Sequence, residues 1–203
     1  MAELEFWFDF GSTYSYIAAM RIENLCRSSG VQLRWKPFLL GPIFELQGWN
    51  TSPFIVNGRR GSYMWRDVER LAQKFAIPYK KPSEFPRVST LAARIACNVA
   101  EEAWSGDFIR AVFEANFYRD LDIADDRVIG DILRTCGHDA ERIMEETLSE
   151  PKRPLLRKNT ETAIALGIFG APNCLVNGEL FWGEETLEDA IAWSRDAQTY
   201  PLS

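Results

Sequence analysis

The chain opens with a strand pattern that passes into a helix pattern and then into a second strand. Apolar side chains at every second position over 4–10 predict a strand, and Trp7 on the opposite face indicates that both faces are covered. A helical pattern follows from Tyr14 and ends at Gly30, and strand alternation resumes over 31–35. Because a βαβ unit normally forms a parallel strand pair, this opening predicts an α/β fold.

The middle of the chain has a helical pattern, whereas its end returns to strands. Five helices separated by Pro, Gly or Asp are predicted over 63–77, 89–104, 107–118, 126–137 and 139–150. A further helix over 155–167, a strand over 171–176, a turn at Asn177-Gly178, a strand over 179–182 and a helix from Glu185 to Ala197 follow. Since a two-stranded unit cannot stand alone, we predict one split domain whose sheet is completed by the C-terminus and interrupted by a helical insertion.

Composition and charge limit the partners of such a domain. The 29 acidic residues exceed the 23 basic ones, so we expect neither nucleic acid nor a membrane surface as partner. Acids stand where a signal peptide needs cations, and no apolar run approaches the roughly 20 residues of a membrane span, so we expect a cytoplasmic protein. The four cysteines lie far apart without a CxxC pair, and the single histidine has no partner in metal-ligand spacing, so we assign no disulfide scaffold and no metal site.

The turn between the first strand and the first helix carries the hydroxyl residues Ser12, Thr13 and Tyr14. A helix that begins near Thr13 leaves its first N–H groups unpaired and concentrates roughly half a positive charge there, which favours an anion. Ser12 is also a good N-cap, so its hydroxyl could serve only the backbone of the first turn. The sequence position alone leaves both roles open.

Pro172 immediately precedes a predicted strand. A trans proline would remove a hydrogen-bond donor from the ladder, whereas a cis Ala171-Pro172 peptide would expose the Ala171 backbone as an edge for a peptide ligand. A purely structural turn is the alternative. Cys174 falls in the same predicted strand, where we expect it to be an inert core residue.

The order of these elements, together with FDFGSTYSYIA, GWNTSP, RRGSYMWRDVER, GIFGAPNCLV and LFWGEETL, resembles 2-hydroxychromene-2-carboxylate isomerases and the related kappa-class glutathione transferases. Those proteins belong to the thioredoxin-like disulfide-oxidoreductase lineage, and the similarity extends over nearly the whole chain. The resemblance implies an α/β, thioredoxin-like fold with an all-helical insertion: a discontinuous thioredoxin-like domain over 1–60 and 155–203, and a helical insertion domain over 61–154. It also implies a homodimer.

The lineage carries CxxC in the turn where this chain has Ser12-Thr13-Tyr14-Ser15, so the turn cannot exchange disulfides by the usual route. The resemblance implies that Ser12 faces the sulfur of bound glutathione and is the catalytic residue. A hydroxyl donor beside a helix N-terminus would stabilise the thiolate over the thiol. The Ala171-Pro172 main chain would pair with the cysteinyl part of glutathione, and Asn50 and Arg60 would reach the tripeptide from a loop.

The γ-glutamyl end would meet Gly183, Glu184 and Glu185, where the family has F-x-G-x-D-R-L and this chain has FWGEETL. Each of these residues also has a structural alternative, since acids are favoured in the first turn of a helix. Likewise Arg60 could be a solvated cation and Asn50 a turn former. Tyr14 either packs the first helix against its neighbours or lines the substrate site.

The activity implied by the resemblance is a glutathione-dependent cis–trans isomerisation of 2-hydroxychromene-2-carboxylate or a similar aromatic compound of naphthalene-type catabolism. Glutathione is the implied cofactor and supplies the nucleophile, while a small aromatic molecule is the implied substrate. A kappa-like glutathione transferase or peroxidase is the first alternative. A non-catalytic thioredoxin-like protein that captures peptides along the proline edge is the second.

Overall fold

A mixed four-stranded sheet forms the frame of the protein, in a computed structural model that describes residues 2–195. Its strands are β1 (Glu3–Phe8), β2 (Gln32–Pro37), β3 (Asn173–Val176) and β4 (Glu179–Trp182). They lie in the order β2-β1-β3-β4, with β1 parallel to β2 and antiparallel to β3, and β3 antiparallel to β4. The predicted parallel βαβ pair and its completion by C-terminal strands are therefore confirmed.

The helices around this sheet are α1 (Thr13–Ser29), α2 (Leu40–Leu46), α3 (Pro53–Val56), α4 (Gly58–Lys74), α5 (Thr90–Asn98), α6 (Ser105–Phe117), α7 (Asp126–Thr135), α8 (Ala140–Leu148), α9 (Leu155–Ala165) and α10 (Leu187–Arg195). A 3-10 turn over Glu184–Thr186 leads into α10, in place of a helix beginning at Glu185. The part of that predicted helix at 196–197 lies outside the described residues. Within residues 2–195 no helix is both long and apolar enough to span a membrane.

The central strand β1 is buried on both faces, as its sequence predicts. Leu4, Phe6 and Phe8 belong to the main apolar core, which also includes the buried face of α1. Trp7 points to the opposite face, where its ring lies 6.2 Å from that of Phe38 in a second apolar cluster. Two covered faces fix the register of β1, because a shift by one residue would exchange the two sets of side chains.

Helices α2 to α9 all lie between β2 and β3, so the sheet is interrupted by a helical insertion as predicted. The insertion shares its core with the sheet: the ring of Phe113 on α6 lies 5.8 Å from that of Phe8 and 4.9 Å from that of Phe10. One continuous apolar cluster therefore includes residues of both segments. The domain boundaries at residues 61 and 154 stay a prediction.

Two further helix predictions differ from the structure by several residues. The helix predicted over 89–104 ends at Asn98, and Trp104 lies before α6 with its ring stacked 3.8 Å from that of His138. Between the two helices the Glu102 N–H binds the Val99 oxygen and the Ser105 N–H binds the Glu102 oxygen, so this segment forms turns in place of helix. The helix predicted from Tyr63 begins at Gly58, where the side chain of Asn57 accepts the N–H of Arg60 as an N-cap.

Candidate functional site

The sheet topology brings two distant segments to the same end of the molecule. Because β1 and β3 are antiparallel, with Trp7 opposite Asn173, the turn that follows β1 lies beside the segment that precedes β3. The first segment carries Ser12 and the second carries Ala171-Pro172. The fold therefore joins the two parts of the site that the sequence predicts separately.

Ser12 is the N-cap of α1. Its backbone is extended, with φ −86° and ψ 122°, and its hydroxyl accepts the N–H of Ser15 at 3.2 Å. The same hydroxyl donates to the main-chain oxygen of Ala171 at 3.1 Å. The structural role of Ser12 is thus confirmed, and Ser12 also links α1 directly to the proline segment. Its proposed role toward a sulfur atom stays a prediction.

The start of α1 keeps two N–H groups without a partner. Ser12 Oγ takes the N–H of Ser15 and the Ser12 oxygen takes that of Tyr16, whereas no hydrogen bond joins the N–H of Thr13 or Tyr14 to another residue in 2–195. Such donors at a helix N-terminus, with the dipole behind them, suit an anionic group. The site therefore has the donors that a thiolate needs.

The Ala171-Pro172 peptide bond is cis, one of the two forms that the sequence leaves open. Ala171 is half-buried, while Pro172 is buried. The oxygen of Pro172 accepts the N–H of Gly183 at 3.0 Å, which places the start of the C-terminal helical segment beside the proline. Gly183 has a φ of 103°, a conformation that favours glycine.

The two acids that follow Gly183 have different environments. Glu184 is buried, and its carboxylate binds Arg21 of α1 at 2.8 Å. Burial raises the pKa of Glu184, while the charge of Arg21 lowers it. The guanidinium of Arg21 in turn lies 3.6 Å from the ring centre of Phe75. The Glu184 carboxylate is therefore already engaged in the ion pair that fixes the 3-10 turn to α1, which is the structural alternative for this residue.

Glu185, in contrast, is exposed and its carboxylate lies directly over Gly183, so a methyl group at residue 183 would overlap it. Its charge also reaches Tyr14. Burial is the main cause that raises the pKa of the Tyr14 phenol, followed by the charge of Asp67, and the charge of Glu185 acts in the same direction. Of the two predicted acids, Glu185 is thus the one on the side of the candidate site.

Tyr14 is half-buried and held from α4. Its hydroxyl donates to a carboxylate oxygen of Asp67 at 3.0 Å, and its ring lies 6.2 Å from that of Phe54 on α3. The other oxygen of Asp67 accepts from Arg70 at 2.8 Å. Tyr14 therefore packs α1 against α3 and α4 and also presents a fixed phenol beside the start of α1.

Asn50 and Arg60 are both exposed, on the loop before α3 and in the first turn of α4. No hydrogen bond or ion pair connects either side chain to another residue of the described segment 2–195. A Cβ built on the neighbouring Gly61 would overlap the Phe54 oxygen, so the start of α4 packs closely against α3. Their role toward glutathione stays a prediction.

The sequence prediction of this site does not include Asp9. Asp9 is buried, and its two carboxylate oxygens accept the N–H of Gly11 at 2.6 Å and the N–H of Leu40 at 2.8 Å. Its main-chain oxygen accepts the N–H of Ser12 at 3.0 Å. Burial raises the Asp9 pKa, and the two N–H donors lower it. The sequence signal for this residue is an acid at the end of a buried strand, two positions before the glycine of a turn.

The insertion also braces the turn. The Asn116 side chain on α6 donates to the oxygen of Phe10 at 3.0 Å, and its own oxygen accepts from the buried Arg87 at 3.1 Å. Arg87 binds Asp120 at 2.6 Å. The pKa of Asp120 lies far below its usual range because the N–H of Ser83, the guanidinium of Arg87 and the Ser83 hydroxyl all donate to it. Hydrogen bonds thus connect the helical insertion to the turn of the candidate site.

Aromatic side chains remain exposed at the same end of the sheet. The rings of Phe169 and Trp182 lie 4.9 Å apart, and each residue is 51% exposed. Phe169 precedes Ala171 by two residues, and Trp182 pairs with Asn173 across the sheet. An exposed aromatic pair next to the proline segment is suited to contact with an apolar ligand.

A cysteine lies two residues after Pro172, in β3. Cys174 is fully buried, as predicted, and burial raises the pKa of its thiol. Within residues 2–195 all four cysteines are free, and no group of three or more His, Cys, Asp or Glu side chains could hold a metal ion. A surface cavity of about 630 Å³ runs along α4 and residues 76–81, but no predicted site residue lines it.

The strand order, the interrupting helices and a helix N-terminus facing a cis proline are the features of a thioredoxin-like domain. The family model of the DSBA-like thioredoxin domain matches residues 3–192, so the chain belongs to this family. The predicted thioredoxin-like fold with a helical insertion is thereby confirmed.

The similar proteins include members of both groups that the sequence resembles, the isomerases and the kappa-class transferases. The chain is 26% identical over 188 residues to a 2-hydroxychromene-2-carboxylate isomerase of Sphingobium xenophagum, covering 91% of this chain and 94% of the relative. It is 29% identical over 181 residues to glutathione S-transferase kappa 1 of Caenorhabditis elegans, covering 85% and 79%. Among solved structures, a 2-hydroxychromene-2-carboxylate isomerase superposes with a TM-score of 0.83 at 22% identity, covering 98% and 100%.

Proposed function

We propose that this protein binds glutathione at the N-terminus of α1 and uses its sulfur as a nucleophile toward a small aromatic substrate. The observation that carries the proposal is the meeting of Ser12, two unpaired N–H groups and the Ala171 oxygen at one point. Glutathione fits these groups, since it combines an ionisable thiol with a peptide backbone. Relatives named glutathione transferase support the choice of ligand.

The chain's own residues would hold glutathione at three places. The Ala171 backbone before the cis proline would pair with the cysteinyl part, and Gly183 and Glu185 would meet the γ-glutamyl end. Glu185 suits the ammonium group there because its carboxylate is exposed. Arg60 would attract a carboxylate of the tripeptide, and Asn50 would donate to it. Glu184 is left out of this set because its carboxylate binds Arg21.

Ser12 would act as a donor and not as the nucleophile. In the free protein the Ser12 hydroxyl donates to the Ala171 oxygen, and the same O–H, turned by rotation about the side chain, would reach an anion in front of α1. A hydrogen bond to a charged acceptor is roughly twice as strong as one to a neutral acceptor, so a thiolate would compete well for this proton. The N–H groups of Thr13 and Tyr14 and the helix dipole would add to the stabilisation of the anion.

Bound glutathione would supply a thiolate that adds reversibly to a conjugated double bond and so allows rotation about it. Phe169 and Trp182 would hold an aromatic ring at the mouth of the site, and the Tyr14 phenol, fixed by Asp67, would contact its polar part. We therefore favour cis–trans isomerisation of 2-hydroxychromene-2-carboxylate or a similar aromatic compound. A kappa-like transferase or peroxidase would use the same thiolate on another electrophile.

Three measurements separate these functions. Calorimetric titration with reduced glutathione should show binding, and an ultraviolet assay with 2-hydroxychromene-2-carboxylate should show turnover that depends on glutathione. Binding without this turnover, together with conjugation of chlorodinitrobenzene, would favour the transferase. Absence of glutathione binding would reject the proposal and leave the peptide-capturing protein as the alternative.

The proposed assembly and location need their own tests. We propose a homodimer in the cytoplasm, as the resemblance to the isomerases and the sequence suggest. Sedimentation velocity of the purified protein should give a single species of twice the chain mass. A monomer at micromolar concentration would contradict this part of the proposal without affecting the glutathione site.

A further inference from the structure

Asp9 joins two loops that flank the candidate site. One carboxylate oxygen accepts the N–H of Gly11, in the turn between β1 and α1. The other accepts the N–H of Leu40, the first residue of α2 after β2. A single side chain thus ties the turn that carries Ser12 to the segment that leads toward Asn50 and α3.

The two hydrogen bonds of Asp9 need both oxygens of a carboxylate, and the side chain is closely surrounded. Asp9 is only 8% exposed, and a Cβ on Gly11 would stand 3.2 Å from its nearer oxygen. An asparagine of the same shape has one oxygen and one NH2 group, so it could accept only one of the two N–H groups and would present a donor to the other. Burying a carboxylate costs free energy unless its oxygens accept hydrogen bonds, so both bonds are needed for Asp9 to occupy this buried position.

The position of Ser12 depends on the same turn. The Asp9 main-chain oxygen holds the Ser12 N–H, and the Asp9 side chain holds the residue directly before Ser12. The Ser12 hydroxyl has to lie within hydrogen-bond reach of Ser15 and of Ala171 at once. A small displacement of the turn would therefore change the direction of the Ser12 O–H.

We propose that Asp9 is a positioning residue that aligns the Ser12 hydroxyl by clamping the β1–α1 turn to the start of α2. The inference rests on the proposed function, because alignment of Ser12 matters for catalysis only if Ser12 faces a bound sulfur. Asp9 itself touches neither the sulfur nor the substrate. It acts on the reaction through Ser12.

The chain offers a matched control for this clamp. The N–H of Leu39, the residue next to Leu40, is accepted by the Thr160 hydroxyl of α9 at 3.2 Å. Thr160→Val removes a side-chain acceptor from the same loop without touching the turn at Gly11. It should lower thermal stability as Asp9→Asn does, but it should leave Ser12 in place.

The experiment is a double-mutant cycle read from the pKa of bound glutathione, followed by ultraviolet thiolate absorbance against pH. In the wild-type background Ser12→Ala should raise this pKa. In the Asp9→Asn background the rise should shrink to less than half, because the hydroxyl removed is no longer aligned, whereas in the Thr160→Val background it should persist in full. Equal rises in all three backgrounds would overturn the inference. A direct effect of the Asp9 charge on the thiolate would add to the effect of Ser12 without changing it, and would therefore also give equal rises.

A measurement on the free protein makes the inference independent of glutathione. The Ser15 N–H is held by the Ser12 hydroxyl, so its hydrogen exchange reports the alignment of Ser12. Asp9→Asn should accelerate exchange at Ser15 and at Leu40, and Thr160→Val should accelerate neither. Unchanged exchange at Ser15 in Asp9→Asn would overturn the inference, while absence of glutathione binding by the wild type would overturn only the proposed function.

A second variant covers the case in which Asp9→Asn fails to fold. Leu40→Pro removes the N–H at the α2 end of the clamp, and proline is accepted in the first turn of a helix. It also removes the Leu40 side chain, which packs against the second apolar cluster, so Leu40→Ala, which keeps the N–H, is its control. Leu39 before it is extended, with φ −112° and ψ 127°, as the residue before a proline requires. Leu40→Pro should also accelerate exchange at Ser15, and an unchanged rate there would contradict the clamp.

Discussion

The hydroxyl of Ser12 donates a hydrogen bond to the main-chain oxygen of Ala171 at 3.1 Å, across 159 positions of the chain. This contact joins the N-terminus of α1 to the cis-proline segment, the two sides between which the peptide part of glutathione would lie. In the free protein the contact occupies the O–H that the proposed mechanism needs. Binding of an anion must therefore redirect the hydroxyl, and the predictions below concern the groups around it.

Arg60→Ala should weaken glutathione binding about fivefold, a loss of about 1 kcal/mol, because an exposed cation contributes modestly to binding a carboxylate. The loss should become smaller at high salt, since exposed charges are screened. Calorimetric titration at low and high salt measures both effects. Arg59→Ala is the matched control, as it removes an equally exposed cation from the same turn. Equal losses of affinity in the two variants would show that Arg60 contributes only to the positive charge of this turn and makes no specific contact with glutathione.

Substitutions of Glu184 and of Glu185, the two acids after Gly183, should have different effects on stability and on glutathione binding. Glu184→Gln removes the charge that pairs with Arg21 and should lower the free energy of unfolding by about 1.5 to 3 kcal/mol, as for a hydrogen bond to a charged group, while the folded protein should still bind glutathione. Glu185→Gln should leave unfolding unchanged and raise the glutathione dissociation constant several-fold. Chemical denaturation and calorimetry of both variants provide the test. A reversed pattern would show that Glu184 faces the ligand.

Tyr14→Phe should raise the KM of the aromatic substrate and leave the pKa of bound glutathione unchanged. The phenol hydroxyl is lost from Asp67, which keeps Arg70, so the cost in stability should be about 1 kcal/mol. Steady-state kinetics with 2-hydroxychromene-2-carboxylate measures the effect, with the exposed Tyr63→Phe as control. An unaltered KM would assign Tyr14 to packing alone.

Asp120→Asn should destabilise the protein in a pH-dependent manner. The pKa of Asp120 is lowered by the Ser83 N–H first and by Arg87 next, so the folded state binds a proton less readily than the unfolded state. The stabilisation is therefore present above the unfolded pKa of about 4 and is lost as pH falls below it. The difference in melting temperature from the wild type should be large at neutral pH and small in acid. A constant difference over this pH range would contradict this linkage.

Local patterns were sufficient to predict much of the fold. The alternation in β1 gives the buried strand, and Asn177-Gly178 adopts φ values of 51° and 85°, as a tight hairpin turn requires. Helix α2 was missed because Gly41 and Pro42 disfavour helix in isolation. Both lie in the first turn, where proline is tolerated, and Ile43 anchors the helix in the second apolar cluster.

The site was predicted less completely, since its contacts connect residues far apart in the chain. The family pattern led to Ser12 and Ala171, but no local feature shows that Glu184 pairs with Arg21, 163 positions away. The clamp by Asp9 was also hidden, because its partner Leu40 belongs to the unpredicted helix. Tertiary contacts decide which of two adjacent acids is held in an ion pair, and the spacing of residues in the sequence does not show such contacts.

The central claim is that the Ser12 hydroxyl stabilises a bound thiolate, and the pKa of bound glutathione tests it most directly. Ser12→Ala should raise this pKa by about 1 to 2, since a hydrogen bond to a charged group contributes about 1.5 to 3 kcal/mol. Ser15→Ala is the control, because its buried hydroxyl has no partner within residues 2–195 and its N–H is retained. The titration curve of the thiolate absorbance should therefore shift in Ser12→Ala and stay unchanged in Ser15→Ala. Coinciding titration curves for the wild type and Ser12→Ala would show that the hydroxyl only caps α1 and would contradict the account.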